Sequence, residues 1–111
     1  MDAIAQLRLT GVRGPGEHFP VVVEIGRPYL SGQNPESWSC PISVEPLYSE
    51  LADQMGIDSL HALLLACRLA FTLLSGFISE GGRLVYPDGT DFDVTSYSGL
   101  PPFPMSGDTH A

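Results

Sequence analysis

The sequence contains no lysine. Its basic residues are five arginines, set against 13 acidic residues, for a formal net charge of -8 over 111 residues. So sparse a positive charge argues against direct nucleic-acid binding, because affinity for a phosphate backbone depends on clustered cations that displace counterions. It also argues against an anionic membrane surface, and it favours a partner with a basic surface. Cysteine is scarce. Cys40 and Cys67 complete no C-x-x-C spacing and cannot build a disulfide framework, so both are expected to be free thiols with packing roles in a reducing cytoplasm.

Chemistry-bearing motifs are missing too. No G-x-S-x-G elbow raises one of the many serines into a nucleophile. His18, His61 and His110 are far apart, with no Cys or Asp at metal-ligand spacing. Asp88, Asp91 and Asp93 in "DGTDFD" could attract a hard cation, but their spacing misses the EF-hand loop, and a turn with solvated carboxylates accounts for them. No metal, no cofactor and no enzyme activity are therefore expected. The start, "MDAIAQLRLT", has neither a basic stretch nor an uninterrupted apolar run, so no signal peptide is expected.

What the sequence does have is one long apolar run, "IDSLHALLLACRLAFTLLSGFISEGG", residues 57 to 82. Leu60 to Ile78 has the length of a bilayer span. Arg68 would then lie near the midplane, and no basic cluster marks a flank, so a membrane role is not expected. A helix over residues 58 to 79 fits better. Asp58 or Ser59 supplies the N-cap, and Gly81-Gly82 the left-handed stop. At 100° per residue His61, Arg68, Thr72, Ser75 and Ser79 form a narrow polar stripe, which leaves an apolar arc of roughly 220°. Ala62, Ala66 and Ala70 add a flat strip for close packing.

Three alternating stretches precede the helix. Ala5, Leu7 and Leu9 form one apolar face, Phe19, Val21, Val23 and Ile25 a second, and Trp38, Cys40, Ile42 and Val44 in "WSCPISVE" a third. Glu24 and Glu45 fall on the wet sides. "GVRGPGEH" reads as a hairpin connection and "GRPYLSGQNPES" as a surface loop. After the helix, Pro87-Asp88-Gly89 marks a turn between two short extended runs. The expected architecture is an α+β two-layer sandwich, with an antiparallel sheet of three to five strands and one long helix across it, over residues 1 to 97. Residues 98 to 111, rich in proline, read as a tail. Strands of six residues span only about 20 Å. A helix of about 30 Å therefore keeps apolar surface to spare, and such a surplus marks an interface.

The "WSCP" strand, followed by "GIDSLHALLLA" and a short strand after the helix, resembles a group of small bacterial proteins known as a domain of unknown function. The resemblance covers roughly residues 5 to 90 and rests on Trp38, Cys40 and Pro41 in the strand and on Gly56, Asp58, Ser59 and Leu60 at the helix start. It implies structural roles for these residues and brings no catalytic group. Two readings of function remain. One is a cytoplasmic immunity-type protein that neutralises a basic toxin by stoichiometric binding through Glu24, Glu45, Arg68, Asp88, Asp91 and Asp93. The other is a structural or accessory subunit that forms a homodimer through the surplus helix surface.

Overall fold

The computed structural model describes residues 1–97; the proline-rich segment 98–111, with His110, lies outside them. Two long strands open the chain, β1 (Ala3–Gly14) and β2 (Glu17–Gly26). They pair antiparallel with Leu7 opposite Val23 and Leu9 opposite Val21. The glycine-rich connection is shorter than the sequence suggested. Its residues continue the ladder until only Pro15 and Gly16 turn the corner, with Gly16 at φ +76°, a conformation that favours glycine. Phe19 makes this extension favourable, because its ring lies over the bare Gly11 on the opposite strand and fills the place a side chain would take.

The third alternating stretch is not one strand. Ser37–Cys40 forms β4, Ile42–Glu45 forms β5, and the two belong to different sheets. Pro41 is the cause: it has no N–H to carry a ladder through, while its carbonyl accepts the Gly26 N–H at 2.9 Å. The apolar phase survives the switch, with Cys40, Ile42 and Val44 buried and Trp38 half-buried. The supposed loop before it contains another strand, β3 (Tyr29–Gly32), paired with β4, and residues 54–56 add β6 (Gln54–Gly56) on the far side of β4. The helix α1 (Ser59–Ser79) and β7 (Arg83–Val85) follow. One sheet has the order β5-β2-β1-β7, the other β3-β4-β6, and every pairing is antiparallel.

α1 is continuous past Arg68. Asp58 caps it, its Oδ1 accepting the His61 N–H at 2.8 Å, and the His61 ring returns the favour by accepting the Ile57 N–H on Nδ1 at 3.0 Å. Together they make a reciprocal cap related to the capping box, except that the N3 side chain, here histidine, accepts from the residue before the N-cap rather than from the N-cap itself. At the other end Gly82 N–H bonds to the Phe77 carbonyl and Gly81 N–H to that of Ile78, both at 3.0 Å, with Gly81 at φ +102°. This is a Schellman stop. Ala62, Ala66, Ala70, Leu74 and Phe77 make the buried stripe. It packs on both sheets, against Leu9, Val21, Val23, Ile25, Cys40, Ile42, Val44 and Leu84. The helix is long and apolar enough to cross a membrane by length and composition; here its stripe is the spine of the core.

The alanine strip works as expected at the N-terminal half, where the helix meets β6 closely. A Cβ on Gly56 would lie 2.6 Å from the Ala62 backbone nitrogen. After α1, β7 pairs with β1 only at Thr10, Gly11 and Val12. Ala3–Leu9 of β1 thus has no neighbour on that side among the described residues. The turn at Pro87-Asp88-Gly89 forms, and the returning run is tied back by the Phe92 N–H to the Leu84 carbonyl at 2.9 Å and by one bridge between Val85 and Asp91. Buried Phe92 then leads into a 3-10 turn, Val94–Tyr97.

Candidate partner-binding surface

The carboxylates singled out in the sequence fall in two places. Glu24 and Glu45 share the face of the four-stranded sheet that points away from α1: Gln6 stands opposite Glu24, and Val22 between Arg8 and Glu45. That face is not purely acidic. Arg8 Nε donates to the Gln6 amide oxygen at 2.9 Å, and Gln6 Nε2 donates to Glu24 at 2.7 Å, so the arginine is linked to the glutamate through one side chain. Glu45 ends β5 and is exposed.

The three aspartates of the last turn serve local structure. Asp88 Oδ1 accepts both the Thr90 N–H (2.9 Å) and its hydroxyl (2.7 Å); Asp93 Oδ1 accepts the same pair from Thr95 at 2.9 and 2.6 Å. These bonds, the hydroxyl first, hold both carboxyls below their ordinary pKa. Asp91 accepts from Arg83, whose Nη2 and Nε reach the same oxygen at 2.9 and 3.1 Å. Among the described residues no three His, Cys, Asp or Glu side chains are grouped to hold a metal ion. Arg68 is exposed on α1. The structure does not gather the six residues Glu24, Glu45, Arg68, Asp88, Asp91 and Asp93 into a single site.

The thiols are quiet. Cys40 is fully buried, its Sγ 3.4 Å from the Gly26 carbonyl, and burial pushes its pKa up to about 11. Burial also raises that of half-buried Cys67. At neutral pH both are thiols rather than thiolates, and the thiolate is the reactive form.

A more concentrated feature lies at the start of α1. Met55, Ile57, Leu60 and Leu64 are 64, 73, 62 and 43 % exposed. They come from ten consecutive residues: Met55 lies in β6, Ile57 lies in the bend before the cap, and Leu60 and Leu64, four apart, share one side of the helix. Strand register extends the exposed apolar surface across the three-stranded sheet: Tyr29 and Met55 flank Ser39 on one face, and Tyr29, itself 44 % exposed, donates its hydroxyl to Asp53 at 2.6 Å. That bond, ahead of burial, raises the Tyr29 pKa. Asp53 and Asp58 thus place carboxylates at the margin of this apolar run.

Local geometry explains why these side chains stay outside. Gly56 must face the helix because only a bare Cα fits there, so Met55, its neighbour in β6, points away, and Ile57 follows in the bend that leads into the helix cap, 73 % exposed. The signal in the sequence is the "MGID" stretch, where a glycine between two large apolar residues sits immediately before a cap. No curated protein and no solved structure matches the chain. A family model does, over residues 7–94. That match takes in both sheets, α1 and the exposed apolar run, and the chain belongs to the family described as a domain of unknown function, DUF6968.

Proposed function

We propose that the protein acts without turnover, by stoichiometric binding to a protein whose contact surface is apolar at its centre and basic at its rim. The carrying observation is the run of Met55, Ile57, Leu60 and Leu64, exposed beside Asp53 and Asp58. Apolar side chains held this far out of the core cost solubility, and contiguous ones mark contact sites. Covering one aliphatic side chain fully contributes roughly 1.5–3 kcal/mol, and these are 43 to 73 % exposed, so several of them covered together are needed to offset the cost of association. The chain's net charge of -8 then favours encounter with a basic body.

In its narrower form the reading is an immunity-type protein of the cytoplasm that covers a basic toxin. Glu24, Glu45, Asp88, Asp91 and Asp93 contribute to the steering field rather than to the contact. The homodimeric accessory subunit is the second reading, supported by the same apolar run. It is the weaker of the two, because a two-fold contact there would bring like charges together, Asp53 and Asp58 of each copy included.

Capture from the native host with the full chain as bait, followed by mass spectrometry, identifies the partner. Binding kinetics with that partner then test the mechanism. Added salt should slow association of the wild type, and reversing Asp91 and Asp93 to Lys should slow it at low salt and blunt the salt effect. Association that ignores both salt and charge reversal would refute the steering, and recovery of only the protein itself would favour the homodimer.

A further inference from the structure

Ile57 is the most exposed member of the apolar run, and it lies in the bend between β6 and the Asp58 cap rather than in a strand or helix. A side chain holds its backbone there. The Ile57 N–H donates to His61 Nδ1 at 3.0 Å, and the His61 N–H in turn donates to Asp58 at 2.8 Å. The ring is seated against bare Gly56, where a Cβ would come within 2.9 Å of the same nitrogen. An imidazole accepts on Nδ1 only in its neutral form, with the proton on Nε2, whereas the imidazolium has a donor at both nitrogens. Protonation would therefore set N–H against N–H across the 3.0 Å contact, and the ring has to leave.

We propose that His61 is a positioning residue of the contact surface, holding Ile57 while its ring is neutral and releasing it when the ring takes up a proton; this rests on the reading of the apolar run as that surface. The charged groups of the neighbouring elements are engaged elsewhere. Asp58, at the cap, receives the His61 N–H. On the β4 side Trp38 stands opposite Gly56, and its indole N–H goes to Glu36 at 2.7 Å. Before β6, Asp53 receives the Tyr29 hydroxyl at 2.6 Å. β6 itself carries no titratable side chain, and the next turn of α1 presents Leu64 and Leu65. A charged ring drawn toward Asp58 competes with the cap's own bond, so that route also leaves the Ile57 N–H without its acceptor. His61 is exposed, so solvent protons reach it directly, and imidazole is the side chain that ordinarily changes charge between pH 5 and 8. A contact residue held in place before binding loses less entropy on binding than a loose one. Neutral His61 thus favours the partner, and acid disfavours it.

Hydrogen exchange of the Ile57 amide reads the bond directly and needs no partner, so its outcome is independent of whether the surface binds. The full-length wild type and its His61→Gln variant are compared by NMR at pH 7.5 and 5.0, each rate divided by the intrinsic rate at that pH, while the nitrogen signals of the His61 ring report its charge. Glutamine is usual at this position of a helix, and its amide oxygen accepts a hydrogen bond without titrating. Ile57 protection in the wild type should fall at least about fivefold between the two pH values as the ring charges, with the amide of buried Ala66 unchanged, as for local opening without unfolding. Protection in His61→Gln should hold at both. His61→Ala, which lacks the acceptor, should show the low value at both and keeps the comparison valid if the Gln variant loses its circular dichroism. A wild-type ring that charges with no loss of Ile57 protection, a ring still neutral at pH 5.0, an equal loss in His61→Gln, or wild-type protection in His61→Ala would each overturn the proposal.

Discussion

Replacing Gly56 by alanine adds one methyl group, and the structure says where it goes. The new Cβ would lie 2.6 Å from the Ala62 nitrogen, 2.9 Å from the His61 carbonyl carbon and 2.9 Å from His61 Nδ1. Two of these are helix backbone and the third is the His61 ring nitrogen that holds the Ile57 N–H at the cap, so no flexible side-chain end can move aside. Either β6 separates from α1 or the first turn shifts and the cap loosens. Overpacking of this kind costs typically 1–3 kcal/mol. The loss of unfolded-state freedom on going from Gly to Ala offsets about 0.4–1 kcal/mol. The net expectation is a destabilisation of about 1–2 kcal/mol, or a fall in Tm of roughly 5–15 °C for a domain of this size. Gly14 is the control: a Cβ there meets nothing within 4 Å. The identical change at Gly14 should therefore leave Tm unchanged or raise it slightly. Thermal unfolding followed by far-UV circular dichroism reads both. Equal effects at the two sites, or a neutral Gly56→Ala, would refute the close helix–strand approach on which the exposure of Met55 and Ile57 depends.

Asp58→Ala removes the acceptor for the His61 N–H and should cost about 1 kcal/mol in urea unfolding, whereas Asp58→Asn should cost little. Leu74→Ala, at a fully buried position on the stripe of α1, should cost about 2–5 kcal/mol and define the upper end of the core series. Asp88 and Asp93 have folded pKa values below their unfolded ones, so their contribution is present above the unfolded carboxylate range and is lost as pH falls through the folded values. A Thr90→Val, Thr95→Val variant should accordingly lose less stability than wild type when denaturant midpoints are compared at pH 5 and pH 2.5.

The helix was the most legible part of this sequence, because cap, stop and apolar spacing all agree over Asp58–Gly82. The long hairpin was legible in phase but not in length: Phe19 stabilises a glycine on the opposite strand, a relation that lies across the sheet and not along the chain. Pro41 was visible as a residue whose consequence was not. Alternation continues through it from Trp38 to Val44, and alternation says which face a residue takes, not which sheet its backbone joins. β3 and β6, of four and three residues, are too short to carry a periodic signal.

The surplus of apolar helix surface was also legible, as an amount. Its place was not, because the sequence does not reveal that Gly56 must turn inward and Met55 and Ile57 outward. For the aspartates a signal was present and passed over: "DGT" and "DVT" each put a threonine two residues after the aspartate, the spacing at which its amide and hydroxyl both return to the carboxylate.

The central claim is that the exposed apolar run at the start of α1 is a contact surface for another protein. Native mass spectrometry of the complex captured from the host, with wild type and an Ile57→Asp, Leu60→Asp variant as bait, tests it most directly. Both substitutions fall at exposed positions and should change stability by about 0.5 kcal/mol or less, which unfolding curves will verify. The account predicts a complex of fixed stoichiometry with wild type and none with the folded variant. A partner held equally by both baits would contradict it.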